Sequence, residues 1–537
     1  MSTLGRGARG PAANRRCQGL CPSSIHAHRR FWSWVTMTGL NAPRALTTTR
    51  LVAAGPTRKG WQTGAHCRLV RVSPGILQKR RILSMKTWKV LAVLMLLCAA
   101  VLAACTVAPV PMPADDSMAM EDEGPSGPVT LKFLALADDD QLNAWREILA
   151  EFQQLNDGEY SYVELEFETI PFRELFPKIE SSVAVGLPWD LFQADGPDMK
   201  HYGFNRVIWP LTDHFSDEEM AQWFPQSIEE GSFRDQFLGP PIMQSCSLLM
   251  YNKDFTDAAG ISPPVGIENA WTMEEAVAAW QDTTVDENGD GVPEVWGLRW
   301  GQGTWTGDYE HGIFRRSNGE IGSATYAGMG EDGVTFQGYL DTDEAAEAMQ
   351  FYQDLHQTYK VSPVEAIPEI FESRQAAFMV TPDNRIGALN RIHGEGNFNW
   401  GVSGIPYFKT PVCHTGSWHY GISPNTQHFE EALEFVRYAS SDAGARIWYK
   451  HVRQLPANIG LFNELDEYSE DGNQRVWLDA MNSFGIPRIQ TPGYTEYQQL
   501  FAEAAGNIVV GADPKEQLSA AARRLEGLVA KYTGWNN

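Results

Sequence analysis

Cysteine is scarce in this chain, seven among 537 residues. Cys17, Cys21, Cys67 and Cys98 come early and Cys105 follows, so only Cys246 and Cys413 remain beyond it. The body therefore holds at most one disulfide, and the alternative is two buried free thiols. Long apolar runs are missing as well. The run from Val90 to Val101 has 12 residues, against about 20 for a membrane-spanning helix. Acidic residues are absent before Cys105, where 17 of the 43 Lys and Arg lie, and basic ones are short after it. With 26 basic against 67 acidic residues, the remainder carries a net charge of −41. Such a body repels phosphate backbones and anionic headgroups, which excludes nucleic acid as its partner. Its 43% hydrophobic and 11% aromatic content still permits a large packed core.

The basic front end reads as targeting and not as fold. Residues 1–84 are Arg-rich and without sustained periodicity, and alone could pass for a transit peptide. From Met85, however, Met-Lys-Thr-Trp-Lys precedes the apolar run and Leu102-Ala103-Ala104-Cys105 closes it. This resembles a bacterial lipoprotein signal, in which the cysteine becomes the lipidated first residue. Residues 1–84 are thus expected to be a mis-assigned upstream extension, 85–104 the signal peptide, and Cys105 the lipid site. Pro109, Pro111, Pro113 and Gly124-Pro125-Ser126-Gly127-Pro128 mark 105–128 as a solvated tether. The expected location is the outer face of a bacterial cell membrane, held by lipid alone.

The body then alternates strands with helices. Residues 129–136 read as a buried strand, and the Asp138-Asp139-Asp140 cluster offers N-caps to a helix with Leu142, Trp145, Ile148 and Phe152 on one face. Strictly alternating 163–168 reads as a half-exposed strand, 173–184 as a helix, 187–192 as a third strand, and Gln244–Tyr251 as another. Amphipathic helices are expected at 343–357 and 426–439, and Asp513-Pro514-Lys515-Glu516 is a capped helix start. This order predicts an α/β fold with a largely parallel sheet and ligand bound beyond the strand carboxyl ends, at Ala137–Asp140 and Gln193–Gly196.

Tyr251-Asn252-Lys253-Asp254-Phe255, Ala259-Gly260-Ile261 and Ala270-Trp271-Thr272 resemble the hinge-crossing segment of extracellular solute-binding proteins of the maltose-binding type. In the same order, Ala376–Val380, Trp400-Gly401-Val402, Gly404-Ile405-Pro406, Gly416-Ser417-Trp418 and Arg453–Ala457 resemble later parts of that family. Trp189 and Gly416-Ser417 depart from it, at places near the cleft. The resemblance implies a two-lobed type II periplasmic-binding fold: 129–245 in lobe 1, 246–413 in lobe 2, 414–455 returning to lobe 1, and 456–537 forming C-terminal helices mainly on lobe 2. It further implies a monomer that traps a carbohydrate between closing lobes and passes it to an ABC permease. Ligand contacts implied by family and strand-end position together are Asp138, Asp139, Gln193, Asp195, Gln244, Trp300, Trp305, Asp383, Arg385, Trp418, His419, Arg453, Tyr494 and Tyr497. Sugar rings stack on aromatic faces while their hydroxyls need fixed polar partners, and the chain past Cys105 has 14 Trp to offer.

No cofactor is required by this reading, and a structural Ca2+ is the one candidate ion. Asp286, Asn288, Asp290, Val292 and Glu294 fall at ligand positions of a calcium loop within 286–297, although Gly297 stands where the bidentate Glu belongs; the alternative is a hydrated acidic turn. Catalytic motifs are missing. There is no His-Glu-x-x-His and no phosphate loop, and Gly401-Val402-Ser403-Gly404-Ile405 fails as a nucleophile elbow. A binding protein is expected, not an enzyme. The other readings are a receptor for a cationic peptide or polyamine, or a lipid-anchored glycoside hydrolase or lyase.

Overall fold

The computed structural model describes residues 127–183, 185–300 and 307–536. Residues 1–84, the signal at 85–104, Cys105, nearly all of the tether and Trp305 lie outside them. Among the described residues no helix is long and apolar enough to cross a membrane.

Two sheets organise the body. The first has the order β2-β1-β3-β12-β6, built from β1 (Val129–Leu136), β2 (Val163–Ile170), β3 (Leu191–Asp195), β6 (Pro241–Met243) and β12 (Trp418–Ile422). β1 runs parallel to β2 and β3, while β12 is antiparallel to β3 and β6. The second sheet has the order β10-β7-β9-β8, from β7 (Leu248–Asn252), β8 (Trp296–Arg299), β9 (Ala376–Thr381) and β10 (Trp400–Ser403). A hairpin, β4 (Ser232–Phe233) with β5 (Gln236–Phe237), and a parallel pair, β11 (Cys413–Thr415) with β13 (Gly485–Pro487), complete the strands.

Local rules account for the elements that place the site. β2 alternates because Val163, Leu165 and Phe167 turn inward, Phe167 against Phe133 of β1, while Glu164, Glu166 and Glu168 face outward. Asp138 accepts from the Gln141 amide and starts the helix Asp139–Phe152, whose Trp145 sits between Phe133 and Trp448 in the first core. Asp513 caps Pro514–Val529 through the Glu516 amide. Two expected strands are displaced. Trp189 and Asp190 precede β3, held as side-chain donors and acceptors, with Trp189 donating to Glu168 and Asp190 accepting from the Lys132 amide. The expected strand from Gln244 to Tyr251 starts only at Leu248, since 244–247 leaves one sheet for the other and its polar side chains are spent on buried hydrogen bonds.

Candidate functional site

The carboxyl ends of β1, β3, β8 and β9 and the start of β12 converge on one region. Asp140, in the helix after β1, pairs with Arg391 at 2.5 Å, in the helix Arg385–His393 that follows β9. The ends of the two sheets therefore face one another. Beneath them run the crossings 244–247 and 413–417.

The floor is a buried polar cluster. Asp195 ends β3 directly opposite Trp418 in the ladder, and Arg488 grips it with two nitrogens at 2.5 and 3.1 Å. The Arg488 guanidinium lies 5.2 Å from the Tyr309 ring and 5.8 Å from that of Tyr494, and it donates to the Tyr494 hydroxyl at 3.3 Å. Ser245 Oγ lies 2.9 Å from the Tyr309 hydroxyl and donates to the Gly416 carbonyl at 3.0 Å. Burial pushes the Tyr309 phenol up to about 12, so it remains a donor at neutral pH.

Deeper still, Gln244 accepts from the amides of Ser245 and Gly416 and donates to Ser227. Glu230 accepts from Thr415 and Ser417, and burial raises its carboxyl above the ordinary value. His419 Nδ1 meets the Gly239 carbonyl at 3.0 Å and Nε2 the Ser417 hydroxyl at 2.6 Å. Burial drops that imidazole to about 3, so it is neutral.

The rim is aromatic. Trp418 is half-buried and stands edge-on to Phe172 at 5.9 Å; Phe172, 40% exposed, in turn meets Phe176 at 5.5 Å. At the carboxyl ends of β8 and β9, Arg299 pairs with Glu310 at 2.8 Å and Arg385 with Glu372 at 3.5 Å.

The other expected contacts are placed as follows. Gln193 is buried on β3, accepting from the Leu136 amide and donating to Gln141, beside the half-exposed Asp138 and exposed Asp139. Trp300 is fully buried, its ring 3.6 Å from that of Phe314, with no face toward solvent. Asp383 is fully buried, accepts from the Tyr468 hydroxyl at 3.3 Å, and is pushed by burial up to about 7. Arg453 closes the helix Asp442–Val452 with φ 58° and pairs with Glu467 at 3.0 Å. Tyr497 is fully buried, stacked on Phe501 and accepting from Arg315. The structure thus gathers Gln193, Asp195, Gln244, Trp418, His419 and Tyr494 around one floor and sets Trp300 and Tyr497 into the core of the second sheet's side. Arg488, Tyr309, Ser245 and Phe172 were missed. Tyr309 lies just past the Trp-rich 299–308 stretch, which was a usable signal; Arg488 follows an ordinary Gly-Ile-Pro and had none.

The loop at 286–294 is exposed and closed at its base by Val285 and Val295. Asp286 accepts from the Gly289 and Gly291 amides, Asn288 from Asp290, Asp290 from Val292, and Glu294 from Glu287 and Asn288. Among the described residues, no three His, Cys, Asp or Glu side chains gather where a metal could sit.

Two sheets joined by short crossings, with a polar floor and aromatic rim between their ends, define a two-lobed ligand-binding protein. Residues 147–474 match the profile of the bacterial extracellular solute-binding proteins, and the chain belongs to that family. Binding proteins of Brucella abortus (strain 2308) and Brucella suis biovar 1 are each 22% identical over 402 residues, 72% of this chain and 90% of theirs. Among solved structures, an ABC transporter solute-binding protein from Thermotoga lettingae bound with α-D-tagatose is 18% identical, with TM-score 0.64 over 74% of this chain and 99% of that one. The maltose/maltodextrin-binding domain of Bdellovibrio bacteriovorus bound to maltotriose is 20% identical, with TM-score 0.62 over 75% and 100%. A Listeria monocytogenes ABC substrate-binding protein in complex with cycloalternan is 18% identical, with TM-score 0.63 over 75% and 99%. These likenesses establish the two-lobed α/β periplasmic-binding fold. Membership in an extracellular family makes this an exported solute-binding protein.

Proposed function

We propose that the chain is the substrate-binding lipoprotein of an ABC importer and that it captures a carbohydrate, mono- or oligosaccharide, between its lobes. The supporting observation is the pairing of an apolar aromatic rim, Trp418 with Phe172, and a floor of fixed donors and acceptors, Asp195, Arg488, Tyr309 and Ser245. Ring faces suit pyranose C–H surfaces, and the floor suits hydroxyls. The sugars held by the Thermotoga, Bdellovibrio and Listeria structures favour the same class. A thermal-shift screen with glucose, maltose, maltotriose, xylobiose and N-acetylglucosamine tests it, because a ligand that binds only the folded state raises the melting temperature. If no saccharide moves the melt, the carbohydrate reading fails.

A cationic peptide or polyamine is the second reading, favoured by the net charge of −41. At the floor, though, Arg488 already balances Asp195. A cationic ligand would bind more weakly as salt rises, and a neutral sugar would not. Lipidation at Cys105 anchors the protein beside its permease; Cys105→Ser should move it from washed membranes to the soluble fraction. The 286–294 loop is held by its own amides, so chelator should leave the melting temperature where it is. A rise of several degrees on adding calcium would instead make the loop a metal site.

A further inference from the structure

Two of the segments that cross between the lobes are covalently joined. The chain leaves the first sheet after Met243 and enters the second at Leu248; it returns from Ser403 to Trp418 by way of β11. Cys246 lies midway along the outward crossing and Cys413 opens β11. They form a disulfide with Cα atoms 5.4 Å apart, and both residues have no solvent exposure. Toward the first sheet the crossings are laced further. The Cys246 backbone bridges Thr415, Ser245 Oγ donates to the Gly416 carbonyl, and the Gly416 amide donates to Gln244 at 3.1 Å. One short helix, Pro225–Glu230, holds both: Ser227 accepts from Gln244 at 2.8 Å and Glu230 accepts from Thr415 at 2.6 Å.

We infer that the Cys246–Cys413 disulfide is a hinge staple that sets ligand affinity by forcing the two crossings to turn as a single ribbon. Lobe closure concentrates its backbone rotations in such crossings. Two independent strands would let the lobes twist as well as close, and that freedom would be lost again on each binding event. A cross-link at mid-crossing removes it beforehand. The ribbon has little slack beside the ligand groups: a Cβ on Gly416 would stand 2.9 Å from a Tyr309 ring carbon and 3.0 Å from Ser245 Oγ. Restricting the ribbon therefore holds Ser245, Tyr309 and Gly416 in register with one another.

The bond forms by thiol–disulfide exchange with an exported disulfide-bearing oxidoreductase. The two thiols give up two protons and two electrons through a mixed disulfide, and the oxidant leaves as a dithiol. Because both cysteines are fully buried, exchange belongs to folding, and the finished staple is fixed and not a cycling switch.

The inference rests on the binding reading above for its affinity arm only. Its test is single-molecule energy transfer between maleimide dyes at Glu166→Cys and Glu274→Cys, exposed positions on the two lobes. It compares the wild-type background with Cys246→Ser/Cys413→Ser and, in case the double variant does not fold, oxidised protein with protein unfolded, reduced and refolded in dithiothreitol, its thiols counted before measurement. The expected result is a broader distance distribution without ligand once the staple is gone. Affinity for whichever panel saccharide shifts the wild-type melt most should fall at least fivefold. An unchanged distribution and affinity in reduced protein would overturn the staple while leaving the carbohydrate reading intact. A broadened distribution with no saccharide bound by any form would keep the staple and remove that reading.

Discussion

At the end of the first sheet Asp195 is gripped by a guanidinium, whereas at the end of the second Asp383 meets the neutral Leu455 backbone and Tyr468 hydroxyl. The tryptophans divide the same way. Trp418 stands half-buried on the rim against Phe172, and Trp300 is sunk against Phe314. The same residue types thus do different work at two ends that face each other. The first end presents side chains braced from behind, by Arg488 for the acid and by the β3–β12 ladder for the indole. The second end draws its side chains inward, and burial governs their chemistry. Arg385 and Arg299 there are each taken up by a glutamate. On the carbohydrate reading proposed above, the first end would supply the braced acid and the ring face, and the second end more of the closure.

The largest effect should come from breaking the buried pair. Arg488→Met leaves Asp195 uncompensated in the floor and should cost about 3–5 kcal/mol of stability, read by denaturant unfolding. Adding Asp195→Asn to that variant should recover a good part of the loss, because the unpaired charge is removed with its partner. A single variant as stable as wild type would mean that the pair does not brace the floor.

Next come the tryptophans, which should fail in opposite ways. Trp300→Ala opens a core cavity and should cost about 3–5 kcal/mol of stability. Trp418→Ala should leave the melt nearly unchanged and cost about 2 kcal/mol of saccharide binding, by analogy with aromatic anchors at interfaces. Calorimetric titration beside a melting curve separates them. Lost stability with full affinity in Trp418→Ala would erase the contrast between the two ends.

Much of this arrangement is written in local chemistry. The β1 strand, the Asp138 cap, the helix at 343–357 and the Asp513-Pro514 helix start could be read because each depends on neighbours in sequence. The site could be read only in part. Asp195 was within reach because it sits at a strand's carboxyl end, where position alone carries meaning. Arg488 was not, since it meets Asp195 across 293 residues of chain. Trp300 misled because polar neighbours in sequence do not report on what packs against the ring. The Gln244–Tyr251 strand was overextended for a related reason: alternation with buried polar residues looks alike in a strand and in a crossing between sheets.

The most gradual effect, to which the second end contributes through Asp383, is pH dependence. Burial lifts the Asp383 carboxyl from 3.8 to about 7, against weaker opposing help from the Leu455 backbone and Tyr468. Across that interval the folded protein keeps a proton that the unfolded chain has released. Stability is therefore complete below pH 3.8 as far as this group is concerned, declines as pH rises toward 7, and levels off above it. The slope from one such group is at most roughly 1.4 kcal/mol per pH unit. Asp198 is lifted to about 7 as well, mainly by burial and then by Asp195, and burial raises Glu230, so the wild-type slope has several sources. Asp383→Asn should remove one of them: unfolding free energy would fall less steeply between pH 5 and 7, and the variant would gain on wild type most at pH 8. Saccharide affinity should change little if the second end serves closure more than contact. An unaltered slope in Asp383→Asn, with affinity lost, would place Asp383 on the ligand and make the two ends alike.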